Sequence, residues 1–429
     1  HTISLYELGE CYHYGIGTEI NKFKAFDSYK KAVEKGHINS LHELGGCYRY
    51  GIGTEMNKIK AFDSYKEAAE KGHINSLYEL GECFRYGIGT EEDVNKAFKL
   101  YKEAAEKGHA ISLSELGECY HYGIGTEINK IKAFESYKEA AEKGHSISLS
   151  ELGECYQYGI GTEINEVKAF ESYKEAAEKG HTISLYMLGE CYYWGIGTEI
   201  NKIKAFDSYK EAARFGDSES LHKLGECYQH GIGTEINKIK AFGIYKEAAK
   251  FGDSKLLHKL GECYQHGIGT EINKIRAFES YKEAARFGGP ESMHKLGECY
   301  YYGIGTVVNE IKAFKSYKKA AKFGGSESLY KLGKCYQYGI GTVKDESKAF
   351  ELYKKAAENG HTISLYELGE CYQHGKGTEI NKIKAFESYE KAAQNDHIDS
   401  IFQLGICYHY GIGTEINLIK ASEFYEEAT

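Results

Sequence analysis

Residues 8–22 read LGECYHYGIGTEINK. The stretch returns with small changes at Leu44, Leu80, Leu116 and onward to Leu404, so the 429-residue chain is a tandem array. Laid on itself at a 36-residue spacing, the sequence gives twelve units with no insertion or deletion, starting at residues 1, 37, 73, 109, 145, 181, 217, 253, 289, 325, 361 and 397. A fixed period of that length marks a solenoid, in which each unit buries its apolar face only against its neighbours. The expectation is one array over residues 1–429 with no internal domain boundary.

Within the first unit, Leu5, Leu8, Gly9 and Tyr12 recur at helical spacing. Gly15-Ile16-Gly17-Thr18 then stops that helix. Asn21 stands where a second helix should start, and its equivalents are Asn in ten units and Asp in two (Asp93, Asp345), residue types that cap the free amides of a first turn. Ala25, Phe26, Tyr29, Ala32 and Val33 give the second helix its apolar stripe, and Gly36 closes it. His37, or later Asp217 or Gly289, would cap the next first helix, and Pro290, the chain's one proline, falls in a first turn where proline is tolerated. Each unit reads as helix–turn–helix, and the fold class as all-α, an α-solenoid.

These residues carry a family resemblance. Leu-Gly-x-x-Tyr-x-x-Gly-x-Gly, then Asn or Asp, Lys-Ala, and Tyr-x-x-Ala-Ala-x-x-Gly resembles the Sel-like repeat family (SLR), cousins of the tetratricopeptide repeats, over the whole chain. Two departures stand out: Ser4 where the family often has Ala, and Phe or Ser where it often has Trp beside the conserved Tyr. The resemblance implies a right-handed superhelix and scaffold or adaptor work, and it supplies no catalytic residues to carry over. Some fungal branches of the family carry protein-kinase-like domains, so the alternative it raises is a regulatory array fused to a catalytic domain outside this segment.

All twelve cysteines occupy one position: Cys11, Cys47, Cys83, Cys119, Cys155, Cys191, Cys227, Cys263, Cys299, Cys335, Cys371 and Cys407. Packed helices lie about 8–10 Å apart, too far for equivalent thiols in adjoining units to form a disulfide or share a zinc ion. No Cys-x-x-Cys occurs, in contrast to the cysteine-rich branch of the family, whose repeats pair two cysteines. The expectation is twelve structural thiols packed as small apolar groups, in a reducing and therefore intracellular, cytoplasmic setting. His13 and Cys11 diverge on their helix, so no Cys–His pair follows.

Of the 50 glycines, 46 fall at four positions, those of Gly9, Gly15, Gly17 and Gly36. Gly9 lies inside a helix, which implies a close approach of another helix, expected opposite Ala25 or Ala32. Gly-Ile-Gly follows a helix, not a strand, and lacks the third glycine of a phosphate loop. No cofactor or metal is expected.

The chain carries a net charge of −9 with Lys and Arg spread through every unit, which argues against nucleic acid. No apolar run is long enough for a membrane span. His1 is already in phase with the repeat, and Thr429 falls before the last unit is complete, so the chain reads as a segment of a longer protein.

The face of the first helix opposite Leu5, Leu8 and Tyr12 varies between units, as a binding lining should. It supplies a candidate groove for an extended, basic partner segment: Glu7, Glu10, Tyr14, Glu79, Glu82, Tyr86, Glu115, Glu118, Tyr122, Glu151, Glu154, Tyr158 and Trp194. The middle units change as a block. Arg214, Phe215, Lys223, Phe251, Lys259, Phe287, Lys295 and Phe323 form a candidate second patch, basic and apolar, although recent duplication of a block explains the co-variation equally well. Gly243 inside a second helix, Ser422 in place of the usual Phe, and the cut-short last unit mark weak points.

Overall fold

The computed structural model describes all residues, His1–Thr429, and contains 24 α-helices and no strand. The chain divides into two compact units, His1–Asp217 and Ser218–Thr429. In each, first helices of 13 residues, from Thr2–Tyr14 to Ile398–Tyr410, alternate with second helices such as Lys22–Val33 and Lys58–Glu70. The glycine stop after each first helix and the Asn or Asp cap before each second helix are where the sequence places them. Gly15 is left-handed at φ 73°, and Asn21 Oδ1 accepts from the Lys24 amide at 3.0 Å.

The next cap is more elaborate than the sequence suggests. His37 Nδ1 accepts from the Ser40 amide at 3.2 Å, and the fully buried Ser40 hydroxyl lies 2.9 Å from the same nitrogen. The arrangement recurs at His73, His109, His145, His181, His361 and His397. Where the cap is Gly289 or Gly325, the serine turns to a histidine of the preceding repeat: His258 Nδ1 lies 2.9 Å from Ser292 Oγ, and His294 Nδ1 3.0 Å from Ser328 Oγ. His42 makes the same contact with Ser76 at 2.9 Å while His73 still caps that helix, so the cross-repeat histidine adds to the cap where one is present and replaces it at Gly289 and Gly325.

The close approach at Gly9 is made by Tyr29, not by Ala25 or Ala32. A Cβ on Gly45 would stand 2.7 Å from the Tyr65 ring, and one on Gly117 2.5 Å from that of Tyr137. The tyrosine ring therefore lies against the glycine, and Tyr29, Ala25 and Ala32 are all fully buried. Phe26 reaches the following repeat, edge-on to Tyr48 at 5.5 Å. Cys47 and Ile52 of that repeat cover Ala25 and Tyr29, so the thiol sits in the seam between repeats.

Gly17 serves more than the turn. A Cβ on its equivalents Gly53 and Gly89 would overlap the carbonyl of Lys22 or Lys58 at the start of the preceding second helix. The contact recurs through both compact units and locks each loop onto its neighbour's backbone.

The weak points show in the last helices. Gly243 lies in a second helix of 11 residues that tightens into a 3-10 turn at Ala249–Phe251. Ala421 is the single buried residue of Leu418–Glu427, where most second helices bury four or five.

Candidate interaction surface

The first helices present the face the sequence singled out, and its rings are open: Tyr14 is 60% exposed, Tyr122 63% and Trp194 61%. In the first three repeats the ring is braced by the residue before it. His13 stacks on Tyr14 at 4.6 Å, and the Arg49 and Arg85 guanidinium groups lie 5.3 and 5.4 Å from the ring centres of Tyr50 and Tyr86.

The carboxylates are less open than a solvated helix face would be. Glu43, Glu115 and Glu151 are half-buried, and burial first, then neighbouring Glu10, Glu118 or Glu154, pushes each up to about 7. Part of the acidic row is neutralised from within. Arg49 pairs with Glu79 of the next repeat, and Arg85 bridges Glu115 at 2.6 Å and Glu118 at 2.7 Å. Each bridge ties one first helix to the next. Glu151 and Glu154 of the fifth repeat have no Lys or Arg within ion-pair distance, and neither do Glu7, Glu10 and Glu43 of the first two.

A second function of this face was not visible in the sequence. The tyrosine that crosses Gly9 delivers its hydroxyl to the same surface, where it needs an acceptor. Tyr29 donates to Glu10, Tyr101 to Glu82 at 2.6 Å and Tyr389 to Glu370 at 2.9 Å. In other repeats the acceptor is a glutamine one turn on: Tyr173 to Gln157 and Tyr281 to Gln265, both at 2.9 Å, and Tyr353 to Gln337 at 2.6 Å. The constant Glu10 position is therefore partly a core requirement.

In the second patch, Phe215, Phe251, Phe287 and Phe323 are 54–81% exposed and do not belong to the core. Their basic neighbours are largely compensated: Arg214 pairs with Glu211 at 2.5 Å, Lys259 with Glu262 at 3.1 Å and Lys295 with Glu298 at 2.8 Å. Hydrogen bonding from His258 and His294 first, with the adjacent lysines, holds Glu262 and Glu298 down at about 2. Phe323 and Lys295 meet in a cleft of about 500 Å³ lined also by His258, His294 and Pro290.

Ser292, His258 and Glu262 form a chain with the order of an acyl-transfer triad (Nε2 to Glu262 at 3.6 Å), but Ser292 is 1% exposed inside a first turn. A hydroxyl sealed there meets no substrate, so the chain is a structural tie. The cysteines are equally sealed, Cys11 excepted, and burial raises the thiols of Cys47, Cys83 and Cys119 to about 12. No three His, Cys, Asp or Glu side chains stand together as a metal site, and no helix is long and apolar enough to cross a membrane.

The Sel1 repeat pattern matches twelve successive segments, from residues 2–37 to 398–429. The chain belongs to the Sel1 repeat family. Two internal matches are shorter, 254–286 and 290–322, and leave out Phe287 and Phe323. A solved protective antigen present in uropathogenic Escherichia coli strains, displaying an SLR fold, is 29% identical, with a TM-score of 0.71 over 94% of this chain and 86% of its own. A Sel1 repeat protein from Oxalobacter formigenes, 24% identical with a TM-score of 0.58, covers 72% of this chain and 89% of its own and shares the fold. No curated protein matches the sequence. Sel1 repeats generally mediate protein–protein interaction, and their all-helical fold is typical of non-enzymatic scaffolds.

Proposed function

We propose that this Sel1 array is a non-enzymatic interaction scaffold whose first helices hold an extended, basic segment of a partner protein along repeats 1–5. The observation that carries this reading is the pair of half-buried carboxylates Glu43 and Glu151, which have no cation within ion-pair distance, with Glu154 and the open rings of Tyr122 and Tyr158 beside Glu151. Ionising such groups in a partly desolvated lining is unfavourable until a cation arrives, so a Lys or Arg side chain gains more there than on an open surface. The exposed rings add apolar and cation–π area at small entropic cost. The buried thiols fit a reducing, intracellular location.

The test is fluorescence anisotropy of a labelled Lys/Arg-rich peptide titrated with the chain, with an acidic peptide of equal length as control. Saturable binding of the basic peptide alone, weakened by salt and by Glu151→Lys with Glu154→Lys, is expected. Equal binding of both peptides, or indifference to the double substitution, would overturn the reading.

A further inference from the structure

A row of large apolar side chains runs along the loop edge of the array, away from the carboxylates. The residue before each Asn cap and the second residue of the helix it opens are Ile128 and Ile131, Ile164 and Val167, Ile200 and Ile203 in repeats 4–6. In repeats 7–9 they are Ile236 and Ile239, Ile272 and Ile275, Val308 and Ile311, and all twelve are 55–74% exposed. Packing does not require them. In repeat 3 the same two positions are Glu92 and Asn95, and in repeat 10 Lys344 and Ser347, all exposed, in helices that keep their caps. The six side chains of repeats 4–6 and the six of repeats 7–9 each make an apolar edge on the order of 600 Å², the size at which an exposed patch marks an association surface, and beyond the two interruptions Ile20, Phe23, Met56, Ile59, Ile380, Ile383, Ile416 and Ile419 fill the same positions in repeats 1, 2, 11 and 12.

We infer that this edge is a self-association surface, on which the Ile128–Ile203 stripe of the first unit packs antiparallel on the Ile236–Ile311 stripe of the second unit of another copy. Three observations select a second copy. The spacing of the rungs is fixed in both units by the same loop contact, Gly161 on Lys130 and Gly197 on Glu166 in one, Gly305 on Lys274 and Gly341 on Glu310 in the other. The two stripes therefore share one period, which an unrelated partner would have to reproduce.

The interruptions match as well. Antiparallel pairing sets repeat 4 against 9, 5 against 8 and 6 against 7, which brings Glu92 and Asn95 of repeat 3 against Lys344 and Ser347 of repeat 10. Parallel pairing of like repeats would instead oppose Glu92 to Glu92 and Lys344 to Lys344. Within one chain Lys344 pairs only with Glu346, at 2.7 Å and 60% exposed, a surface pair of little worth that a second carboxylate can join.

The flanking charges follow the same register. Glu166 faces Lys274 and Lys130 faces Glu310, although Lys130 also donates to the His121 carbonyl at 2.9 Å. The innermost pair, Lys202 and Lys238, is like-charged and has Glu199 and Glu235 beside it in the sequence.

Analytical ultracentrifugation of the full 429-residue chain tests this, with thermal melting to confirm that each variant is folded. The wild type should associate reversibly at micromolar concentration, and Ile164→Lys with Val167→Lys should abolish that without lowering the melting temperature. Glu92→Lys and Lys344→Glu should each weaken association roughly threefold to tenfold, and the two together in one chain should restore it. A monomeric wild type, association unchanged in the Ile164/Val167 variant, or a charge-swapped double variant weaker than either single one would overturn the inference. So would a wild type that stays monomeric and sediments with phosphatidylserine vesicles, because the stripe would then be a lipid-facing surface. Glu151→Lys, which tests the groove, should leave the mass unchanged; its abolishing association would place the second copy on the first helices and overturn the inference.

Discussion

The two compact units are built from the same brick and differ in charge. His1–Asp217 has 35 acidic against 26 basic side chains, whereas Ser218–Thr429 has 28 of each, so the whole charge of −9 resides in the first unit. The lining of the first helices sharpens the contrast. In the first unit Glu43, Glu115 and Glu151 are raised to about 7 by burial and like charge, and in the second Glu262 and Glu298 are held at about 2 by histidine and lysine. The comparison teaches that the repeat separates its tasks: the glycine, tyrosine, alanine and cysteine positions fix the stack, and the lining is free to be poised for a cation or already satisfied.

If that separation holds, damage to the brick should be equal in both units. Gly117→Ala and Gly261→Ala each drive a methyl into a fully buried tyrosine ring at 2.5–2.6 Å, and each should cost about 3 kcal/mol in chemical unfolding. A large loss at one and none at the other would break the comparison at its base. The lining should behave oppositely. Glu151→Lys with Glu154→Lys is expected to lower affinity for a basic peptide by more than about tenfold, whereas Glu298→Gln in the second unit should leave it within about twofold.

The pH response should divide the units in the same way. Lowering the pH from 8 to 6 protonates Glu43, Glu115 and Glu151, which removes negative charge and should weaken basic-peptide binding by about tenfold. The buried cap histidines His73, His109, His145 and His181 are shifted down by desolvation and add little positive charge over that range. Glu262 and Glu298 stay ionised throughout. Binding that strengthens on acidification would show that other groups govern the lining. The smallest effect is at the chain end: backbone amides of Leu418–Glu427, with one buried residue, should exchange faster than those of Glu166–Glu178, with five.

The fold was legible because each rule is stated twelve times. Asn21 and its equivalents, Gly15, and the apolar stripes leave one reading of where helices start, stop and face. Partners across the packing were harder to read, since periodicity gives the face of a residue and not the atom it meets. That is why the cover of Gly9 was expected to be alanine and proved to be Tyr29, and why the Gly17 position read as a turn residue when its equivalents Gly53 and Gly89 also abut the preceding repeat. The acidic lining was readable, but its internal compensation by Arg49 and Arg85 depends on side chains crossing between repeats. One such crossing did leave a trace: where Gly289 stands in place of a cap histidine, His258 of the preceding repeat partners Ser292.

The tyrosine that crosses the glycine also grades the rungs of the lining as seats for a ligand. Where its hydroxyl rests on Glu10 or Glu82, an arriving cation competes with the phenol for that carboxylate, and stranding a buried hydroxyl costs about 1–3 kcal/mol. In the fifth repeat the hydroxyl rests on Gln157, so Glu154 can be engaged without disturbing the interior. A docking chain should therefore anchor there first and extend toward the amino-terminal rungs only as far as its remaining contacts outweigh that penalty.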